Sequence, residues 1–353
     1  METSPKGGNF MTTVLKTEMI IEPFLSIECS EKQESTVKRY RYDLIQFYEW
    51  CQKEGIPLSE AYSPDTVDAY YLYLCKIKRY SILTIKRILS VLKQHSLFVN
   101  PSPKKVTPFD VYLQRDTIDH KKAAGDFLKT RQIKKLLKII PGDYALTDHQ
   151  LKYRHFYSER NQAIIHLMLF YGLTVQEISG LTMKDVHFQT GIIHLFSRKR
   201  KPRTITLQRN DRRLLHRYYQ TVPMAVRPRW QTRDPFFASF DFQRGTYRWS
   251  YEDDAPKKLT DVSVQKMIRQ EMRRAGLGPG FSGRALRNTY ILHRLLDGAM
   301  PEELKEELAF ATTQPIESFT RFIDEEKENL KDLTPLSHEK RQEILETYTF
   351  SKP

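Results

Sequence analysis

The densest group of side chains able to bind an anion is a basic turn over residues 197–203. The turn reads Ser-Arg-Lys-Arg-Lys-Pro-Arg, and its basic members are Arg198, Lys199, Arg200, Lys201 and Arg203. An arginine stays protonated at ordinary pH, which makes it a good phosphate ligand and a poor proton donor. The turn therefore favours phosphate binding over proton transfer. The plainer alternative is a solvated basic hairpin tip.

The charge of the whole chain agrees with an anionic partner. Its 353 residues include 57 Lys and Arg against 43 Asp and Glu, which gives a formal net charge of +14. Such a charge informs about association and not about fold, and nucleic acid is the first partner to consider. Solvated basic faces are common, so charge alone is weak evidence.

The cysteines and the apolar runs exclude other classes of protein. Cys29, Cys51 and Cys75 are an odd number without paired spacing, so they indicate buried thiols and neither a disulfide framework nor a zinc module. The histidines lack ligand spacing, and no cofactor or metal is expected. No run has the length of a signal peptide or a membrane span, so we expect no membrane partner and a cytoplasmic, nucleoid-associated protein.

Helical periodicity positions the first set of cations. Apolar residues recur at three-and-four spacing over 37–51, then from Asp65 and again from about Ser81, which predicts a small helical domain. Residues 1–20, with their Ser-Pro and Gly-Gly pairs, are expected to form a flexible arm. Basic residues fall away from the apolar stripes: Lys38, Arg39, Arg41, Lys86, Arg87 and Lys93.

A proline-marked segment separates this domain from a second one. Asn100-Pro101-Ser102-Pro103 ends the predicted domain 21–103, because proline removes backbone donors and restricts the residue before it. Residues 104–126 are then a linker, or alternatively a basic strap that closes around a duplex. The domain 127–325 combines helices with a hairpin whose strands flank the basic turn, and Gly172 suits a left-handed helix cap.

Two stretches of the second domain carry a family resemblance. The segment from Tyr171-Gly172-Leu173-Thr174 to Val186, and the segment Arg284-Ala285-Leu286-Arg287-Asn288-Thr289-Tyr290, resemble motifs of the tyrosine recombinases of the phage integrase type. The order of parts over about residues 22–325 is similar to that family. The resemblance implies a mainly α fold with a small antiparallel β-sheet, in a two-domain clamp of a helical core-binding domain and a catalytic-like domain.

Seven positions of that family carry its chemistry, and this chain matches two of them. Glu177 matches an acidic residue of the framework, and Arg287 matches an arginine that clamps the scissile phosphate. The other five positions are replaced: Thr174 stands for an arginine, Arg198 for a lysine, Arg284 and Phe310 for histidines, and Phe319 for the nucleophilic tyrosine. Phenylalanine has no oxygen to attack phosphorus, so this comparison predicts that the chain is not an enzyme.

Three functions remain open on these residues. The first is a catalytically inactive DNA-binding regulator, such as a repressor or accessory factor of a phage or mobile element. The second is a divergent site-specific recombinase that uses another tyrosine, for example Tyr290 or Tyr348. The third is an architectural DNA-binding protein. All three predict double-stranded DNA as the partner, bound through phosphates by the basic turn, Arg284, Arg287 and the cations of the first domain.

The end of the chain bears on assembly. The tail 326–353 includes a predicted helix from Pro335 to Tyr348 with Leu336, Ile344, Leu345 and Tyr348 available for an apolar face. The resemblance implies that such a helix docks on a neighbouring protomer, which would make the chain self-associate. The alternative is a helix folded onto its own domain.

Overall fold

The chain folds into two compact units, residues 1–119 and 120–353, and the division falls inside the predicted linker. The computed structural model describes residues 8–32, 34–101, 106–114, 121–197, 200–326 and 329–336, together with 339 and 343. Each unit has a hydrophobic core of its own. The predicted fold class is confirmed, because most described residues are helical and the strands form small antiparallel sheets.

The first unit consists of helices joined by short turns. Its α-helices are α1 (Gly8–Ile27), α2 (Glu34–Lys53), α3 (Pro64–Leu72), α4 (Ile82–Val99) and α5 (Asp110–Gln114). Ser63 caps α3 by accepting a hydrogen bond from the Thr66 N–H at 3.2 Å, and Ser81 caps α4 in the same way. These caps satisfy donors that a helix start leaves without partners. The apolar stripes predicted from the sequence form the core between α2, α3 and α4.

Helix α1 corrects the prediction of a flexible arm over residues 1–20. The helix begins at Gly8, while residues 1–7 lie outside the described residues. Ile21, Phe24 and Leu25 of α1 are buried in the first core. The prediction rested on the Ser-Pro and Gly-Gly pairs, whereas apolar burial downstream of them stabilises the helix.

Part of the predicted linker is also structured. Phe109 is fully buried in the first core, and α5 packs on α4. Asp110 accepts hydrogen bonds from the Thr107 backbone N–H at 2.8 Å and from Lys93. Residues 106–114 therefore belong to the first unit. Of the lysines in the strap alternative, those at 104 and 105 lie outside the described residues, whereas Lys121 and Lys122 are described.

The second unit is built around one buried helix. Its helices are α6 (Thr130–Ile139), α7 (Asp148–Lys152), α8 (Arg154–Tyr171), α9 (Val175–Gly180), α10 (Arg209–Thr221), α11 (Asp261–Arg274), α12 (Gly283–Leu296), α13 (Pro301–Glu307) and α14 (Gln314–Glu325). Residues 163–169 of α8 are buried without interruption, and α10, α11 and α12 pack around it. An all-round apolar helix is typical of the centre of a large core.

The strands form three small antiparallel sheets. They are β1 (Val186–His187), β2 (Ile192–Ser197), β3 (Arg200–Thr206), β4 (Phe240–Asp241), β5 (Thr246–Tyr247), β6 (Trp249–Ser250) and β7 (Ala255–Pro256). The first sheet has the order β1-β2-β3, with Ile193 opposite Ile205 and Leu195 opposite Arg203. Directly opposed residues share a face of a sheet, so this register places Arg203 on the same side as the buried Leu195.

None of the described helices is both long and apolar enough to cross a membrane. Within the described residues, no group of three or more His, Cys, Asp or Glu could hold a metal ion.

Candidate active site and cationic surface

Glu177 stands at the centre of the candidate active site. Thr174 caps α9, accepting from the Glu177 N–H at 3.1 Å while its own N–H donates to Glu177 Oε2 at 2.7 Å. This reciprocal capping satisfies two backbone donors and fixes the carboxylate at the start of the helix. Thr174, which replaces an arginine in the family comparison, therefore positions Glu177.

Two guanidinium groups meet at the Glu177 carboxylate. Arg203 reaches it from β3, with Nε 3.0 Å from Oε1 and Nη2 3.3 Å from Oε2. Arg287 reaches it from α12, with Nη1 3.4 Å from Oε2. All three side chains are buried, at 5% exposure for Glu177 and 8% for each arginine. Two cations against one carboxylate leave this cluster, which we call the Glu177 cluster, with an excess of one positive charge.

The arginines keep Glu177 ionised in spite of its burial. Burial by itself raises the pKa of this carboxyl, but hydrogen bonding and charge from Arg203, the Thr174 N–H and the charge of Arg287 hold its pKa below the usual 4.5. The carboxylate therefore orients both guanidinium groups at neutral pH.

Gly172 makes the close approach of these elements possible. It ends α8 with φ +64°, the left-handed cap predicted from the sequence. Its carbonyl accepts from Arg203 Nη2 at 3.4 Å and from Arg287. A Cβ at this position would lie 2.5 Å from the Tyr290 ring, so no larger residue fits without a shift.

A second carboxylate lies beside the cluster. Glu307 accepts the hydroxyl hydrogen of Tyr290 and two hydrogen bonds from Arg294 at 3.1 Å, and its backbone carbonyl accepts from Arg203 Nη1 at 3.1 Å. Burial raises the pKa of Glu307, and the charge of Arg203 offsets part of that rise. Tyr290 is 9% exposed, so its hydroxyl is held inside the unit by a carboxylate.

Phe319, at the position of the family's nucleophile, is a core residue of α14. It is 3% exposed and packs against Phe127 with ring centroids 5.9 Å apart. The Lys122 ammonium lies 4.4 Å from the centre of its ring. Burial lowers the pKa of Lys122, Asp126 opposes that change and the charge of Arg284 adds to it. Phe310, the other aromatic replacement, lies under the Arg287 guanidinium at 5.5 Å.

The basic turn is only partly placed. Arg198 and Lys199 lie outside the described residues, and the side chain of Arg200 is not described although its backbone belongs to β3. Lys201 and Arg284 are exposed. Arg203 and Arg287 are buried in the Glu177 cluster instead of forming an open floor. Contact of these residues with phosphate stays a prediction.

Most of the predicted DNA-binding cations of the first unit form ion pairs or hydrogen bonds within that unit. Arg87 binds the buried Asp43, Lys93 binds Asp110, and Arg41 binds Glu22. Lys86 donates to the Leu113 carbonyl at 3.1 Å. The remaining pair is exposed: Lys38, which bridges to Glu34 at 2.6 Å, and Arg39. Their contact with DNA also stays a prediction.

Sequence reasoning missed two residues of this site and misplaced a third. Lys122 lies in the predicted linker and Glu307 lies three residues before Phe310, and no local pattern marks either of them as part of the site. Arg203 was assigned to the turn, but Arg203, Ile205 and Leu207 alternate with exposed residues along β3 and its continuation. That period of two was visible in the sequence and could have indicated that Arg203 points inward.

Relatives correct the prediction that the chain is not an enzyme. The chain is 24% identical to the tyrosine recombinase XerC of Halalkalibacterium halodurans, and the matched region covers 92% of this chain and 98% of the relative. It is 22% identical to XerD of Oceanobacillus iheyensis, over 91% and 98%. These relatives are named as recombinases, so the prediction is wrong and the recombinase alternative is favoured over an inactive regulator. The prediction rested on the replaced positions, above all on the absence of an oxygen at residue 319.

Solved structures share the fold. An integrase of the Tn1549 transposon has a TM-score of 0.61 at 15% identity, over 93% of this chain and 98% of that one. XerH bound to difH has a TM-score of 0.57 at 18% identity, over 83% and 79%. The phage integrase family matches residues 126–323, which is more than half of the sequence and includes the whole Glu177 cluster. The chain belongs to the phage integrase family.

Proposed function

We propose that the chain is a site-specific DNA recombinase. Because residue 319 is a phenylalanine, the attacking group is a tyrosine at another position. The Glu177 cluster carries the proposal, because it holds two guanidinium groups in fixed positions beside one carboxylate. Phosphoryl transfer to a tyrosine places extra negative charge on the phosphate oxygens, and preorganised donors stabilise that charge. The names of the relatives support the same reaction.

The nucleophile is the replaced position that matters most for this proposal. Phe319 supplies no oxygen, and the Tyr290 hydroxyl is bound to Glu307 inside the unit. Tyr348, the other candidate, lies in the C-terminal segment outside the described residues. Because Glu307 holds Tyr290 inside the unit, we assign the attack to Tyr348, the other of these two candidates.

Trapping of a covalent complex tests this assignment. Nicked duplexes that tile the replicon carrying the gene are incubated with the purified chain, and protein–DNA adducts are resolved on denaturing gels. We expect an adduct from the wild type and from Tyr290→Phe, and none from Tyr348→Phe or Arg287→Ala. An adduct lost in Tyr290→Phe instead reassigns the nucleophile. Footprints without any adduct overturn the recombinase proposal.

Phe319→Tyr is the matched gain-of-function arm. It adds a phenol at the family's nucleophile position, beside the Lys122 ammonium. An adduct from this variant alone, with none from the wild type, shows that the scaffold is competent and that the native chain does not cleave. The same pool of duplexes therefore separates a missing nucleophile from a missing target.

DNA binding is part of the proposal and is tested independently of cleavage. A tyrosine-to-phenylalanine variant of the Tn1549 integrase was solved in complex with transposon right end DNA, which supports binding without the nucleophilic oxygen. We expect affinity to fall steeply with salt, and each phosphate contact removed at Lys201 or Arg284 to lower the salt slope by about one. Truncation after Thr334 tests the proposed self-association: an unchanged mass on DNA contradicts it.

A further inference from the structure

A cavity of about 490 Å³ opens in the second unit, away from the Glu177 cluster. Its walls come from α7, α8, the β4 region and α11. Tyr157, Phe240 and Phe242 form an aromatic wall, with Tyr157 and Phe242 in edge contact at 5.2 Å. A volume of this size is in the range of small-molecule sites.

The cavity wall contains a buried arginine that forms no ion pair in the described part of the chain. Arg160 of α8 is 4% exposed. Its Nε and Nη2 donate to Asn161 Oδ1 at 3.4 and 3.2 Å, and its Nη1 donates to the Ala238 carbonyl at 3.3 Å. A guanidinium has five N–H donors, so these three bonds leave two donors without a hydrogen-bond partner in the described part of the chain. Neutral acceptors alone compensate poorly for a charge removed from water.

The other charged groups facing the cavity are also cationic. Lys266 of α11 and Arg248 line it, and among the described residues no aspartate or glutamate lines it. Arg248 pairs with Asp241 at 3.2 Å, and the Asn161 amide donates to Glu271 at 2.8 Å. Glu271 is itself engaged by Arg274, so it does not neutralise Arg160. The space enclosed by these residues is therefore electropositive.

We propose that this cavity binds a small phosphate monoester, with the phosphoryl group on Arg160 and Lys266 and an aromatic or apolar part against the Tyr157–Phe242 wall. Arginine binds phosphate oxygens through two parallel N–H bonds, which matches the two donors that remain. This site does not involve the Glu177 cluster, and it stands whether or not the chain cleaves DNA.

Calorimetric titration of the full chain with inorganic phosphate, adenosine 5′-monophosphate and adenosine tests the site. We expect the monophosphate to bind more tightly than phosphate, and adenosine to bind at least about tenfold more weakly, since the charge-assisted bonds supply most of the affinity. Arg160→Met is expected to weaken the monophosphate at least about tenfold, and Lys266→Met less. Arg233→Met, which changes an exposed arginine outside the lining, is the matched control and is expected to leave binding unchanged.

Competition with DNA separates the two sources of a phosphate. A blunt duplex without terminal phosphates is added to the complex with the monophosphate. If the duplex displaces the ligand from the wild type and loses affinity in Arg160→Met, the site is a DNA-backbone contact and the small-ligand proposal is overturned. Absence of monophosphate binding by the wild type, or equal binding by a folded Arg160→Met chain, also overturns it. Circular dichroism and unfolding midpoints establish that each variant is folded.

Discussion

The Glu177 cluster and the Arg160 cavity both bury guanidinium groups, but they compensate the charge in different ways. Arg203 and Arg287 share a buried carboxylate and the Gly172 carbonyl. Arg160 has an amide oxygen and one backbone carbonyl as acceptors, and no acidic side chain of the described residues lines the cavity beside it. The first arrangement stabilises its cations within the protein. The second leaves a charge that an external anion can complete, so burial of an arginine does not by itself indicate the same role.

Removal of the guanidinium at position 203 is expected to have the largest effect. Arg203→Met leaves Glu177 buried with Arg287 as its remaining cation and removes four hydrogen bonds, two to the Glu177 carboxylate and one each to the Gly172 and Glu307 carbonyls. Because hydrogen bonds to charged groups contribute about 1.5–3 kcal/mol each, we expect the free energy of unfolding to fall by about 3–5 kcal/mol. Denaturant titration measures the loss. Glu34→Gln, which removes an exposed partner of Lys38, is the control and is expected to leave stability unchanged. Equal stability of Arg203→Met and wild type contradicts the structural role of the cluster.

A side chain at position 172 is expected to cause the second-largest loss of stability. Gly172→Ala places a Cβ 2.5 Å from the Tyr290 ring at φ +64°, and strain plus overpacking cost about 2–4 kcal/mol. Gly180→Ala is the matched control, because a Cβ there meets no atom within 4 Å. Thermal unfolding compares the two. A tolerated Gly172→Ala means that α12 can move away from α8, and the cluster is then less rigid than described.

Acidification tests the cluster without changing its size. The folded pKa of Glu177 lies below its unfolded value, so its contribution to stability is complete above pH 4.5 and is lost as the pH falls through the folded pKa. We expect a smaller effect than in Arg203→Met, since every side chain stays in place. The measurement is the unfolding free energy against pH for wild type and Glu177→Gln. A slope in this range that persists in Glu177→Gln must come from other groups.

The smallest change in the free energy of unfolding is expected from substitution of Arg160 in the cavity wall. Arg160→Met gives up three hydrogen bonds but also removes a desolvated charge without a carboxylate, and we expect a net change of about 1 kcal/mol or less. Denaturant titration in buffer without phosphate or sulfate measures it. A loss as large as that of Arg203→Met removes the distinction between the two regions and points to an internal role for Arg160.

Local sequence patterns predicted the elements and missed several of their contacts. The hairpin around the basic turn, the left-handed cap at Gly172 and the helices of the first unit follow from periodicity and capping residues, which act over a few positions. The prediction of a flexible arm was wrong for residues 8–20, because Phe24 of α1 is buried against residues of the first core that lie far along the chain and thereby stabilises the helix. Lys122 and Glu307 were missed because their partners at the site, Phe319 for Lys122 and Tyr290 and Arg203 for Glu307, are distant from them in sequence.

The sequence by itself determined the family, the replaced positions and the absence of an oxygen at residue 319, because these depend on residue identity and spacing. Only the tertiary structure decided what the cations do. The register of β3 turns Arg203 toward Glu177. The packing of α8 against α11 leaves Arg160 beside a cavity that no aspartate or glutamate of the described residues lines. Whether a buried charge is compensated depends on atoms brought together from distant segments, and no local pattern contains that information.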